Sequence, residues 1–385
     1  MTQNSTNQPS PLANTQNGKK ALPMFDVPFF IAVMLLLVIG LVMLYSSGYA
    51  QSLLKTGDSY TYIRKQILAA VAGLAVMFIV SVIPRKFYYP LIEAVYLFCV
   101  FLLVLVLIVS RDPEKRWLYI GTFQFQPSEL AKLGVILMMS KYMTKTYKNE
   151  GPDKMRKFKT GVLIPFAIYG VCVCLVGIET HLSGAVLIFG VGTILMIVGG
   201  CKITHLLPFG AAGLAGMALL VTQTSYMQRR IEVWLDPYSD PLKSGFQPIQ
   251  SLLTIGSGGL MGLGYNGGRQ KFLYLPEPHN DFIFSVIAEE LGYVGVILIV
   301  LLFIFFIWRG LYIAMRARDA FGTYVVIGII SRVALQVILN LAVVSNAVPT
   351  TGISLPFFSY GGTALFVLLA EMGIVLQISR YANLK

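Results

Sequence analysis

Charge is scarce in this chain: only 12% of its 385 residues are Asp, Glu, Lys or Arg. A soluble domain carries roughly a quarter. So few charges cannot coat a globule of this length, which argues against a soluble enzyme or a string of soluble domains. Histidine is rarer, at three residues, and cysteine numbers four. Cys99, Cys172 and Cys174 lie inside apolar runs and Cys201 at the end of one. Cys172 and Cys174 are two apart, so on a helix they face different ways. That argues against a disulfide or a cysteine metal pair and leaves small buried hydrophobes. The chain has no Gly-x-x-x-x-Gly-Lys-Ser/Thr loop, no His-Glu-x-x-His and no Gly-x-Ser-x-Gly. ATP-driven transport by this chain is therefore unsupported.

What is present is apolar: 56% of residues are hydrophobic and the mean hydropathy is +0.71. A bilayer core takes about 20 apolar residues per helix. Such runs fall at 28–47, 62–83, 90–110, 128–146, 161–178, 182–200, 204–222, 282–308, 321–345 and 361–379. The expected fold is all-α: a polytopic membrane protein of about ten transmembrane helices with one long extracellular loop. Residues 1–24 are polar and read as a disordered cytoplasmic tail. Residues 25–385 read as one membrane domain. The first run is full length without a clear cleavage site, so it reads as a retained helix.

The net charge of +12 comes mainly from loops. It reads as topology and contact with anionic lipid, not nucleic-acid binding. Ten spans put both termini on one side. Lys19, Lys20, Arg85, Lys86, the cluster from Lys141 to Lys159, Lys202, Arg309, Arg316, Arg318, Arg380 and Lys385 make that side the cytoplasm.

One connection breaks the pattern of short loops. Residues 223–280 carry Trp234, Tyr238, Phe246, Tyr265, Phe272 and Tyr274 among five prolines, so the segment is structured rather than a tether. Its stretch Ile249–Leu260 reads as a half-helix at the membrane surface, admissible only where protein or a cavity covers its ends.

Ionisable residues inside or beside spans are costly, so each is a functional candidate. Glu129 and Lys132, three apart at the start of a span, share a helix face. They read either as a structural ion pair or as a pair lining a substrate cavity. Asp281 stands where the long loop re-enters the membrane, before Phe282, Ile283 and Phe284. It reads as a helix cap, or as a general base whose pKa those apolar neighbours raise. Glu277 is a second carboxylate nearby. Glu289 and Glu290, two turns further on, read as packing or hydrogen-bonding groups. Arg229, Arg230, Lys243, Arg269 and Lys271 read singly as a solvated face. Together with Asp281 they suggest an anionic ligand such as a pyrophosphate.

At these residues the sequence resembles the SEDS family (shape, elongation, division and sporulation), which includes RodA, FtsW and SpoVE. The markers run from about Phe25 to Arg380. They are Arg116-Trp117, Phe125 through Lys132, Leu235-Asp236-Pro237 with Asp240-Pro241, and Gln250-Ser251-Leu252 leading to Gly256 through Leu260. Further on come Leu275-Pro276-Glu277, Asp281 through Phe284, Ala288 through Gly292, and Pro356 through Gly362. The resemblance implies a peptidoglycan glycosyltransferase. Such proteins polymerise lipid II into glycan strands at the outer face of the cytoplasmic membrane, with a class B penicillin-binding protein as the transpeptidase. It implies Asp281 as the catalytic carboxylate and Glu129 with Lys132 as the essential cavity pair. Glu277, Arg229, Arg230, Arg269 and Lys271 are the further candidates for binding substrate.

One motif departs. The family often reads Gln-Pro-Asp-Leu-Gly-Thr-Ala where this chain has Glu179-Thr180-His181-Leu182-Ser183-Gly184-Ala185. Histidine stands in place of the aspartate, so a carboxylate role at position 181 is not expected here. A cationic residue or a divalent cation such as Mg or Mn would stabilise a leaving pyrophosphate. No metal-ligand spacing is visible. A lipid II flippase and a non-enzymatic scaffold for the transpeptidase are the competing readings. Elongation, division and sporulation are not separable from these residues.

Overall fold

A computed structural model describes residues 24–110, 116–120, 123–179, 181–223, 225–272 and 274–383. The expected N-terminal tail lies almost wholly outside them. The chain begins with helices α1 (Val27–Thr56), α2 (Thr61–Val82), the single turn α3 (Arg85–Tyr88) and α4 (Ile92–Val109). Strands β1 (Leu118–Ile120) and β2 (Phe123–Phe125) follow, then α5 (Pro127–Glu150), α6 (Ile164–Ile178), α7 (Leu182–Val198) and α8 (Ile203–Gln223). The long connection holds α9 (Ser225–Leu235) and α10 (Phe246–Ser257). It leads to α11 (Ile283–Met315), α12 (Ala320–Val344) and α13 (Gly362–Ser379).

All ten apolar runs coincide with a helix. Among the described residues seven helical segments are long and apolar enough to cross a bilayer: α1, α2, α4, Lys159–Ile178, α11, α12 and α13. α7 is apolar but shorter. α5 is outside that set, and it carries Glu129, Lys132 and Lys141 within its length. Apolar side chains such as Leu97, Phe101 and Ile108 of α4 point away from the bundle. In water that exposure would cost free energy; in lipid it does not. The same holds for Cys174, which is exposed while the other three cysteines are buried.

Helix ends follow local chemistry. The Asp26 carboxylate caps α1 by accepting from the Phe29 amide at 2.9 Å, and Gly57, at φ 74°, ends the helix. Asp26 also accepts three hydrogen bonds from Arg309 of α11, at 3.0, 3.2 and 2.7 Å, which tie the first helix to the eleventh. α2 lies along α13, α4 along α5, α6 along α7, and α12 packs on α5, α7 and α11.

Two features were not legible as helices or loops. The first is the β1–β2 hairpin, pairing Leu118 with Phe125 and Ile120 with Phe123. Three-residue strands are too short for periodicity to show. Thr363 of α13 anchors the hairpin by donating to the Gln124 carbonyl at 2.8 Å. The second is a break in α11 at Gly292, whose φ of 67° and ψ of −172° are not helical. Backbone groups freed by a break inside a membrane helix need new partners. The long loop supplies them. Its Leu263 and Gly264 amides donate to the Glu289 and Glu290 carbonyls at 2.9 and 3.0 Å. Its Gly259 and Leu260 carbonyls accept from Tyr293 and Val294 at 3.0 and 3.1 Å. The approach needs glycine: a Cβ on Gly262 would lie 2.2 Å from the Glu290 carbonyl oxygen.

The half-helix expected at Ile249–Leu260 is α10, three residues earlier at each end. Its Ser251 bonds Ser285 at 2.8 Å and the Val344 carbonyl at 2.7 Å, so α11 and α12 cover its inner face.

Candidate functional site

Asp281 ends the long loop two residues before α11. The backbone that carries it is pinned at three successive carbonyls. His279 O accepts from the Tyr360 amide at 2.9 Å, Asn280 O from Ser359 Oγ at 2.7 Å, and Asp281 O from Asn340 Nδ2 at 2.8 Å. The same Asn340 amide donates to Ile353 O at 2.6 Å, joining the α12–α13 connection to the loop. The His279 ring stacks on Tyr62 of α2, with centroids 4.5 Å apart. Asp281 is therefore held by α2, α12 and the α12–α13 connection at once. Its side chain is half-buried and makes no cap to α11, whose N-terminus has no side-chain cap bond. The bland reading of Asp281 as a helix cap does not describe this geometry.

Burial pushes the Asp281 carboxyl up to about 6, the Glu277 charge adds to the rise, and the Arg116 charge opposes it. Glu277 sits at the rim with a backbone φ of 49°, salt-bridged to Lys55 at 3.4 Å and bonded by Asn280 Nδ2 at 2.7 Å. Gly352, at φ 69°, closes the other side. A Cβ there would come within 3.3 Å of Asp281 Oδ2.

Glu129 and Lys132 pair at 2.7 Å and are almost wholly buried on α5. They do not stand alone. Arg332 of α12 reaches Glu129 at 3.7 Å and bonds Glu371 of α13 at 2.5 Å. Two positive and two negative groups thus balance inside the bundle. A small cavity beside them is lined by Glu129, Arg332, Gln336, Ser354, Ser359 and Tyr360. The last two residues also border the backbone that carries Asp281, so the tetrad and Asp281 belong to one region.

The loop cations separate. Lys271 is fully buried, pairs with Glu290 at 2.6 Å, and donates to Ser46 Oγ and Asn266 Oδ1 at 2.9 and 2.6 Å. It locks the loop to α1 and α11. Arg229 pairs with Asp240, and Arg230 donates to the Thr350 carbonyl. Arg269 is exposed, and its amide donates to Glu289 Oε1 at 2.9 Å. Glu289 and Glu290 hold the loop by hydrogen bonds. Sequence reasoning gave no role to Arg116 or Asn340. Arg116 had a signal in the Arg116-Trp117 marker. Asn340 had one as an amide in an apolar run. Among the described residues no three of His, Cys, Asp or Glu converge to hold a metal ion.

The multi-helix membrane bundle as a whole matches known proteins. A chain in the solved structure described as "Structural coordination of polymerization and crosslinking by a peptidoglycan synthase complex" superposes with a TM-score of 0.74 at 30% identity, covering 94% of this chain and 99% of that one. The crystal structure of the Thermus thermophilus Rod shape determining protein RodA gives 0.69 at 26%, covering 94% and 98%. Stage V sporulation protein E of Bacillus subtilis strain 168 is 39% identical over 95% of this chain and 99% of its own length. A Geobacter protein (strain M18) named as a probable peptidoglycan glycosyltransferase FtsW is 34% identical over 92% and 96%. The family model for FtsW, RodA and SpoVE, described as "Cell cycle protein", matches residues 27–384. The chain belongs to the SEDS family of multi-pass membrane proteins.

Proposed function

We propose that this protein polymerises lipid II into glycan strands at the outer face of the bacterial cytoplasmic membrane, with Asp281 as the general base and inversion at the donor sugar. As a SEDS protein it is a peptidoglycan glycosyltransferase of cell-wall synthesis. The observation that carries the finer reading is the Asp281 carboxyl, pinned through three carbonyls and raised by burial to about 6. A base is most useful when its pKa lies just below the working pH, because it is then ionised and still basic.

The steps follow from that placement. Asp281 accepts the proton of the 4-hydroxyl on the acceptor GlcNAc. The oxygen attacks the donor anomeric carbon from the face opposite the leaving group. Undecaprenyl pyrophosphate departs with the bonding electrons, and the new glycosidic bond has inverted configuration. The apolar outer helix faces take the undecaprenyl chain. Glu129 and Lys132, balanced by Arg332 and Glu371, provide a fixed polar wall beneath the sugars. Partnership with a class B penicillin-binding transpeptidase is supported by the likeness to a chain of a peptidoglycan synthase complex.

The test is polymerisation of labelled lipid II by purified protein with its partner present. Asp281→Asn should lower output by about a hundredfold or more, the usual contribution of a positioned base. Near-normal output from folded Asp281→Asn would remove Asp281 as base.

A further inference from the structure

The turn that carries Asp281 is packed through a ring that the steps above do not use. His279 is buried, at 2% exposure. Its ring stacks on Tyr62 of α2, with centroids 4.5 Å apart and planes 14° from parallel, and lies 5.7 Å from the Tyr360 ring. Tyr62 and Tyr360 meet each other at 5.0 Å, so the three rings close into one cluster. α1 closes a further side: a Cβ on Gly48 would stand 3.5 Å from both His279 Cβ and the Tyr62 ring. Ring contacts of this kind favour particular geometries, so they fix orientation as well as place.

The imidazole is held by its faces rather than by its nitrogens. Nδ1 is buried and has no hydrogen-bond partner among the described residues. Nε2 stands 3.8 Å from Glu277 Oε2, beyond hydrogen-bonding distance. A buried ring nitrogen without a partner forfeits its hydration, so the nitrogens do not account for the burial. Burial pushes the ring down to about 4, so it is neutral at pH 7 and brings no charge to the neighbouring carboxyls. What position 279 contributes is a flat side chain in a fixed slot.

The same helix also holds the segment that pins the turn. Tyr62 and Gln66, four apart, share a face of α2. Gln66 is buried; its Nε2 donates to the Ser359 carbonyl at 3.3 Å and its Oε1 accepts from the Gly361 amide at 3.1 Å. Ser359 Oγ in turn donates to Asn280 O at 2.7 Å, and the Tyr360 amide to His279 O at 2.9 Å. The first turns of α2 therefore reach the turn before α11 by two routes. One runs through the rings to His279, the other through Gln66 and residues 359–361. Asp281 stands two residues beyond His279 along that turn.

We infer that His279 is a positioning residue for the proposed base, acting through the faces of its ring: packed against Tyr62 and Tyr360, it sets where the turn places the Asp281 carboxyl. The inference rests on the reading of Asp281 as the base. A carboxyl displaced by about 1 Å no longer meets the acceptor hydroxyl squarely, and misplacement of that size costs on the order of a hundredfold. His279 itself is buried and does not touch the substrate.

The test compares two replacements in the lipid II assay. His279→Asn keeps a polar group and removes the ring; His279→Phe keeps the ring and removes both nitrogens. His279→Asn should lower kcat about tenfold to a hundredfold and leave KM within about threefold of the parent, the pattern of a misplaced reacting group rather than a lost binding contact. His279→Phe should keep kcat within about threefold of the parent, because the faces are restored. Tyr62→Leu should lower kcat as His279→Asn does. The two together should lose no more than the worse of them, since they remove one contact. Parental kcat in His279→Asn overturns the inference. So does an equal loss in His279→Phe, which would give the role to the nitrogens, a change confined to KM, or losses that simply multiply. If the His279→Asn chain does not fold, Tyr62→Leu against Tyr62→Phe makes the same comparison from the α2 side. Asp281→Asn run alongside separates the two readings. If it keeps full output, the base assignment fails, while the contrast between asparagine and phenylalanine at 279 still reports whether the ring governs turnover.

Discussion

Lowering the pH from 7 to 5 should switch this protein off through one carboxyl. With Asp281 raised to about 6, it is largely ionised at pH 7 and largely protonated at pH 5. The rate limited by that base should fall roughly tenfold over the interval. Two substitutions move the acid limb in opposite directions. Glu277→Gln removes a negative charge that adds to the rise, so the limb should move to lower pH. Arg116→Gln removes the positive charge that opposes it, so the limb should move to higher pH. Burial is the largest cause, so the Glu277 shift should stop well short of the ordinary carboxylate range, at about a pH unit or less. The assay is kcat/KM for lipid II polymerisation across pH 4.5 to 8. The position of the limb, not the height of the plateau, is the readout. Stability provides the control. A carboxyl whose folded pKa is raised keeps its proton in the folded chain, so its contribution to stability is present below about pH 4 and lost as pH rises through about 6. Loss of activity at pH 5 is then not unfolding driven by this residue. A flat profile between pH 5 and 7, or two variants whose limbs move the same way, would refute the reasoning.

Two further outcomes concern buried charge. Lys271→Met leaves the Glu290 carboxylate buried and unpaired and should destabilise the protein by about 3 to 5 kcal/mol. Adding Glu290→Gln should recover much of that, read by thermal unfolding in mild detergent. Glu129→Ala and Lys132→Ala should each abolish polymerisation. In a double-mutant cycle their effects should be far from additive, because Arg332 and Glu371 couple to both.

The bundle was legible because lipid imposes a length and a polarity on every span, and all ten apolar runs became helices. The breaks within it were less so. The Ala288 to Gly292 stretch reads as continuous helix, and only the loop backbone pressed against Gly292 shows why the helix parts there. At the site, Asp281 was visible as a carboxylate at a membrane edge. Geometry removes one of its alternatives, since the side chain makes no cap bond to α11, and leaves the base as a proposal. Lys271 shows the reverse. A lysine in a loop reads as solvated or anion-binding, because its partners, Ser46 and Glu290, lie 225 and 19 residues away. Pattern reasoning reads neighbours on one helix more readily than a loop lysine's partner 225 residues away.

The charge pairing bears on how a pyrophosphate would be received. Lys271, Arg229, Lys132 and Arg332 each already face a carboxylate, at Glu290, Asp240, Glu129 and Glu371. Taking any of these as the anion ligand means separating a pair, and for the buried ones that leaves a charge without compensation. Lys55 differs. It meets Glu277 across 3.4 Å with both side chains about half exposed. Exchanging an exposed ion pair for a phosphate costs little, since such pairs contribute only about 0 to 1 kcal/mol. On the proposed reaction, an exposed cation such as Lys55 at the rim is easier to turn over to a phosphate than the buried ones. The proposed reaction then predicts that the buried cations keep their carboxylate partners and that the substrate is met by those at the edge.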